Sequence, residues 1–88
     1  MGYNKATQNV LKHGVSFEEA ASIFDADKIL LKKDLKHSIL EERKIAIGPS
    51  NLNRFLVVIL TEREDRIRII SARPAKQKER QQYEQKTT

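Results

Sequence analysis

The most pointed chemical feature of the chain is a run of arginines, Arg63, Arg66, Arg68 and Arg73, carried by T-E-R-E-D-R-I-R-I-I-S-A-R. A guanidinium offers a rigid fork of donors that can hold two phosphate oxygens, and it stays charged at any cellular pH. Cleaving an RNA phosphodiester with its own 2′-hydroxyl needs a bent substrate, neutralised charge at a crowded phosphorus, and two proton transfers. Arginines can supply the first two. A base could come from Glu62, Glu42 or His13, and an acid from His13 or Tyr83. Arginines on a solvated sheet face also pair with neighbouring acids, here Glu62, Glu64 and Asp65, so spacing alone leaves a phosphate site and surface ion pairs both open.

Other chemistries lack their residues. His13 and His37 are far apart, with no H-x-x-x-H or H-E-x-x-H spacing, so no metal site is expected. The three glycines are isolated and make no phosphate-binding loop. With no cysteine there is no thiolate nucleophile or disulfide framework, and no serine sits in a strained nucleophile elbow. No cofactor is expected.

The elements that must position these residues follow from patterning. A short polar helix over 4–13 starts at Asn4 as N-cap and ends at Gly14, with Val10 and Leu11 as its apolar contacts. Ser16 to Glu19 reads as a capping box, the serine hydroxyl capping the Glu19 amide and the Glu19 carboxylate reaching back. A second helix to about Phe24 would bury Phe17, Ala20, Ala21 and Phe24. Ile29, Leu30 and Leu31 suit a short strand, 34–40 a polar connection, and 43–47 a second strand. Gly48-Pro49-Ser50-Asn51 reads as a turn. The apolar run F-L-V-V-I-L-T at 55–61 is the expected central strand, Glu64-Asp65 the hairpin turn, and 66–71 the last strand. Period two puts Arg66, Arg68 and Ile70 on one face and Ile67, Ile69 and Ser71 on the other. With the isoleucines toward the helices, Arg66 and Arg68 stand on the open face. Continued alternation would send Arg73 to the opposite side, but Pro74 fits the first turn of a C-terminal helix, so its direction stays open. That helix carries Lys76, Lys78, Arg80 and Tyr83, and the tail after about residue 84 is expected to be disordered.

The fold class is therefore α+β, with N-terminal helices on a mainly antiparallel sheet and a C-terminal helix following. Eighty-eight residues suit one domain with a modest core. A hydrophobic fraction of 39% can fill it while 33% charged residues keep the exterior solvated. No apolar run reaches the ~20 residues of a membrane span, no signal pattern opens the chain, and a cytoplasmic location is expected. The net charge of +5 points to a polyanion, nucleic acid or an acidic protein.

Four strings together resemble the BrnT-like toxins. They are K-x-x-x-N-x-x-K-H-G-V-S-F-E-E-A from Lys5, H-S-x-x-E-E-R-x-x-x-I-G from His37, L-V-V-x-x-T-E-R from Leu56, and R-I-R-I-I-S-A-R-x-A-x-x-x-E-R-x-x-Y-E from Arg66. The resemblance implies a RelE/ParE-like fold and a ribonuclease that arrests translation by acting on RNA. Whether that RNA is free or on the ribosome stays open. It also implies a BrnA-like ribbon–helix–helix antitoxin as partner. Its motifs carry Lys12, His13, Glu42, Arg43, Glu62, Arg63, Arg68, Arg73, Glu79, Arg80 and Tyr83. The expected catalytic set is Lys12, His13, Glu62, Arg63, Arg73 and Arg80, with Arg66, Arg68, Lys76 and Tyr83 binding RNA around it. His13 beside a helix end suits capping as well as catalysis. The family's opening F-x-W-D strand is replaced by Met1-Gly2-Tyr3, so either a sheet edge is unpaired or the start of the chain differs. A degenerate toxin that binds without cleaving, or a plain domain meeting an acidic protein, would carry the same charge.

Overall fold

The computed structural model describes residues 4–35 and 42–87. Residues 1–3, where the resemblance leads one to look for an opening strand, lie outside them, as do His37, Glu41 and most of the expected 34–40 connection. Helix α1 (Lys5–His13) is followed by α2 (Phe17–Ser22), a 3₁₀ turn (Ile23–Asp25), and strands β1 (Leu30–Lys33), β2 (Arg43–Pro49), β3 (Phe55–Arg63) and β4 (Arg66–Pro74). Helix α3 (Gln77–Thr87) closes the order and continues past residue 84. The strands form one antiparallel sheet in sequence order, β1-β2-β3-β4.

The helix ends follow their local chemistry. Asn4 accepts from the Thr7 amide at 2.8 Å, and Ser16 accepts from the Glu19 amide at 3.0 Å. Gly14 takes φ +70°, the left-handed conformation that ends α1 with its N–H on the Val10 carbonyl. The apolar faces differ from expectation. Val10 and Leu11 are exposed and Asn9 is the buried residue of α1, while Ala21 is exposed and Val15, Ala20 and Ile23 are buried. Ile23 and Phe24 stand three and four positions after Ala20, on the same helical face, and the buried stripe runs through Ile23 with Phe24 packed beside it.

The core lies between α1–α2 and one face of the sheet. Leu56, Val58 and Leu60 of β3 meet Ala46 of β2, Ala72 of β4, and Val15, Ala20 and Ile23, with Ile69 partly buried against them. Two strands run further than their punctuation suggests. Gly48 and Pro49 belong to β2 and the turn begins at Ser50, whose amide donates to the Arg54 carbonyl at 2.8 Å. Pro74 ends β4 opposite Leu56, and Ala75 makes the next ladder bond, to the Phe55 carbonyl at 2.9 Å. Proline is tolerated at both strand ends, where its missing N–H interrupts little pairing. Between β3 and β4, Glu64 and Asp65 both have positive φ, the geometry of a two-residue hairpin loop.

Candidate functional site

The β3–β4 register decides which arginines can act together. Arg66 pairs with Arg63, Arg68 with Thr61, Ser71 with Ile59 and Arg73 with Val57. Ile69 pairs with Leu60 and Ser71 with Ile59, so Ile70 is the extra residue of a β-bulge. All four β3 partners, Val57, Ile59, Thr61 and Arg63, have odd numbers and point away from the Leu56–Val58–Leu60 core. Arg63, Arg66, Arg68 and Arg73 therefore share the face opposite α1 and α2. Regular alternation would have turned Arg73 away; the bulge brings it back. Arg43 joins them from β2, opposite Thr61. The two isoleucines of β4 separate: Ile69 packs on the core, while Ile67, further out toward the hairpin tip, is exposed.

At that tip Arg63, Glu64, Arg66 and Arg68 line an open hollow of about 730 Å³. All four are exposed. Among the described residues Arg66 and Arg68 make no ion pair, so their donors are available to an oxyanion. Arg73 is placed differently. Its two terminal nitrogens donate to the two Glu79 oxygens at 2.7 and 2.5 Å, and Glu79 also accepts from the Lys76 amide at 2.8 Å. The Arg73 hydrogen bond holds the Glu79 carboxyl below its ordinary pKa despite the desolvation that opposes it. The same bond raises the Arg73 guanidinium.

This pair helps seat α3, a helix with no buried residue. Tyr83 meets Phe55 edge-on with ring centroids 5.2 Å apart, and its hydroxyl donates to the Lys28 carbonyl at 2.8 Å. Arg80 lies 4.6 Å over the Phe55 ring and bonds Glu84 at 3.2 Å. Lys32 of β1 donates to Gln82 at 2.9 Å. Arg80 and Tyr83 thus join Arg73 on the arginine-bearing side of the sheet, through Phe55.

The remaining expected residues fall elsewhere. Glu62 pairs with Ile67, on the face opposite the arginines, and accepts from Lys44 at 3.0 Å. Glu42 forms an exposed pair with Lys33 at 3.7 Å. Lys12 and His13 lie in the last turn of α1 and line a separate hollow against β4. Lys76 is exposed just before α3, its amide capped by Glu79. Among the described residues no group of three or more His, Cys, Asp or Glu could hold a metal ion.

The arginine-bearing hairpin lies within the segment that a family model matches, residues 2–79, described as "Ribonuclease toxin, BrnT, of type II toxin-antitoxin system". The chain belongs to the BrnT family. Membership makes it a toxin-family protein of a type II system and implies an antitoxin partner. No curated protein matches the chain. No helix among the described residues is long and apolar enough to cross a membrane.

Two polar networks of this BrnT-family chain escape reasoning from residue type. Asn9 is buried, and its side-chain amide donates to the Val15 and Ala72 carbonyls at 2.8 Å each and accepts from the Ala72 amide at 3.0 Å. It satisfies both backbone groups of Ala72 as a neighbouring strand would, tying α1 to edge strand β4 two residues after the bulge. Glu19 is also buried, and its carboxylate turns to Arg54 and Ser50 instead of completing the capping box. Arg54 donates to both carboxylate oxygens, at 2.7 and 2.6 Å, and to the Gly14 carbonyl at 2.8 Å. Asn9 stands in the first family string and Glu19 in the capping motif, but their partners lie on other strands and loops, which local spacing cannot reveal.

Proposed function

We propose that the protein is a ribonuclease toxin that cleaves RNA on the arginine-bearing face and so inhibits translation, without a resident metal. One observation supports this best: the β3–β4 register puts Arg63, Arg66 and Arg68 on one side of the sheet, and the bulge at Ile70 adds Arg73 to them. Arg66 and Arg68, with Arg63, would grip the scissile phosphate and offset the charge that builds on its oxygens. Arg73, oriented by Glu79, would contact the strand nearer α3, where Arg80 and Tyr83 sit. In this role the arginines contribute charge and substrate bending. Glu64 is the carboxylate that lines the hollow, and it is the nearest candidate to accept the 2′-hydroxyl proton.

The antitoxin would be a BrnA-like ribbon–helix–helix protein that covers this face, its association with a +5 chain hastened by opposite charge. The cytoplasm, where RNA and ribosomes are, is the place of action this reading requires. Incubating purified protein with bulk RNA, with and without ribosomes and with EDTA, tests the proposal. Cleavage that persists in EDTA and stops on adding antitoxin supports it. Cleavage lost to EDTA and restored by a divalent ion contradicts the metal-free mechanism.

A second reading, an RNA- or antitoxin-binding module that does not cleave, is favoured by one arrangement. Glu62 and Tyr83, two of the expected proton carriers, are engaged with Lys44 and the Lys28 carbonyl. Under this reading RNA binds and stays intact with or without ribosomes.

A further inference from the structure

The hollow between α1 and β4 has no part in the cleavage chemistry above. Its volume is about 240 Å³, and Lys5, Gln8, Lys12 and His13 of α1 line it together with Ile70 and Ser71 of β4, over Asn9. No carboxylate lines it, although acids and bases are mixed along most of this chain. Among the described residues Lys5 and Lys12 have no ion-pair partner. Lys12 and His13 sit in the last turn of α1, where cations offset the negative end of a helix. That explanation fails for Lys5, which begins the helix at its positive end. Lys5 and Lys12 are two turns apart and on one face, so the cationic stripe runs the length of α1.

Its floor is fixed. Asn9 is fully engaged with Val15 and Ala72, so it holds α1 at a set distance from the strand and leaves the lysines to meet a ligand. Ser71 lies three positions after Arg68 on β4, about 10 Å of strand, so one RNA strand passing the edge of β4 could reach both the arginine face and the hollow. The lining offers ammonium, imidazole and amide groups beside the Ile70 side chain, and no carboxylate. A phosphate needs charge and hydrogen-bond donors, and Lys5, Lys12 and His13 bring both to the hollow.

We propose that this hollow is a second phosphate subsite, holding the backbone of an RNA strand at a nucleotide away from the bond to be cut. The proposal rests on the RNA-directed reading above, but it concerns binding and survives a failure of cleavage.

The test is the salt dependence of binding to a labelled 2′-O-methyl oligonucleotide, which has no free 2′-hydroxyl and cannot be cut. The double variant Lys5→Gln/Lys12→Gln should bind about threefold to tenfold more weakly than wild type. Its log–log salt slope should be shallower by roughly 0.7 for each phosphate left without its lysine. Lys78→Gln/Lys86→Gln on α3 removes the same charge elsewhere and should leave the slope in place. Circular dichroism on each preparation confirms an intact helix content. Equal changes in both doubles, an unchanged slope in the first, or lysine variants that weaken only antitoxin binding would overturn the subsite. Parallel incubation of wild type with unmodified RNA keeps the two ideas apart. A slope that responds to Lys5 and Lys12 without cleavage supports the subsite and rejects the nuclease. Cleavage with an unresponsive slope does the reverse.

Discussion

Arg73 at the end of β4 and Glu79 in the first turn of α3 hold each other through two parallel hydrogen bonds, of 2.7 and 2.5 Å. The pair joins sheet to helix across the loop at Pro74, and both side chains are partly shielded from water. Arg73 therefore has a structural task as well as its position on the arginine-bearing side of the sheet.

The two tasks can be separated by substitution. Glu79→Gln removes the charge and should cost about 1 kcal/mol of stability, between an exposed and a well-shielded pair. Arg73→Lys cannot reproduce the two-pronged geometry and should cost a similar amount. Urea unfolding of both variants checks this. If Glu79→Gln is as stable as wild type, α3 is held by its other contacts alone.

Asn9→Ala should destabilise the fold by about 2–4 kcal/mol, because it strands the Ala72 amide and the Ala72 and Val15 carbonyls in the interior. Asn9→Asp keeps an acceptor for the Ala72 amide but offers no donor to either carbonyl, and should rescue little. Hydrogen exchange at the Ala72 amide is the sharper readout: protection should fall in both variants. Undiminished protection would mean that α1 does not close the edge of β4.

Tyr83→Phe should cost about 1 kcal/mol, the net value of the hydrogen bond to the Lys28 carbonyl, while the ring contact with Phe55 remains. Its RNA cleavage rate should stay within about fivefold of wild type, far less than expected for loss of a general acid. Single-turnover cleavage and thermal unfolding measured together decide between these roles.

Stability should also fall on acidification through two carboxyls. Glu19 is held below its ordinary pKa first by the hydrogen bond from Arg54, against desolvation, with help from Ser50; Glu79 is held down by Arg73. For a carboxyl whose folded pKa is depressed, the added stability is present above the unfolded value near 4.5 and is lost as pH falls through the folded one. The thermal midpoint should therefore drop steadily below about pH 4.5, the reference carboxyl value. Glu19→Gln should flatten that acid limb. A limb unchanged in both Glu19→Gln and Glu79→Gln would place the acid sensitivity in other groups.

Much of this architecture is legible locally. Asn4, Gly14 and Ser16 mark helix ends because caps act within four residues, and Glu64-Asp65 marks the hairpin because its loop is only two residues long. The family strings identify the protein class. Phase and distance are another matter. Ile70 resembles its neighbours, so nothing in I-R-I-I-S-A-R announces the bulge that turns Arg73 onto the face of Arg66 and Arg68. Pro74 reads as a helix start because proline suits that position, yet it suits a strand end equally. Proximity in sequence groups Glu62 with the arginines, while strand alternation sets it on the other side. The Glu19–Arg54 pair spans thirty-five positions and is invisible in any local window.

The most direct test of the central claim is the single-turnover RNA cleavage rate of Arg68→Ala beside wild type, at matched folded fraction. Arg68 stands opposite Thr61 in the interior of the arginine face and lines its hollow. If this face stabilises the phosphate as it is cleaved, the rate should fall by about 10²–10³, with little recovery in Arg68→Lys. A folded Arg68→Ala protein that cleaves within a fewfold of wild type would contradict the account and move the active site elsewhere.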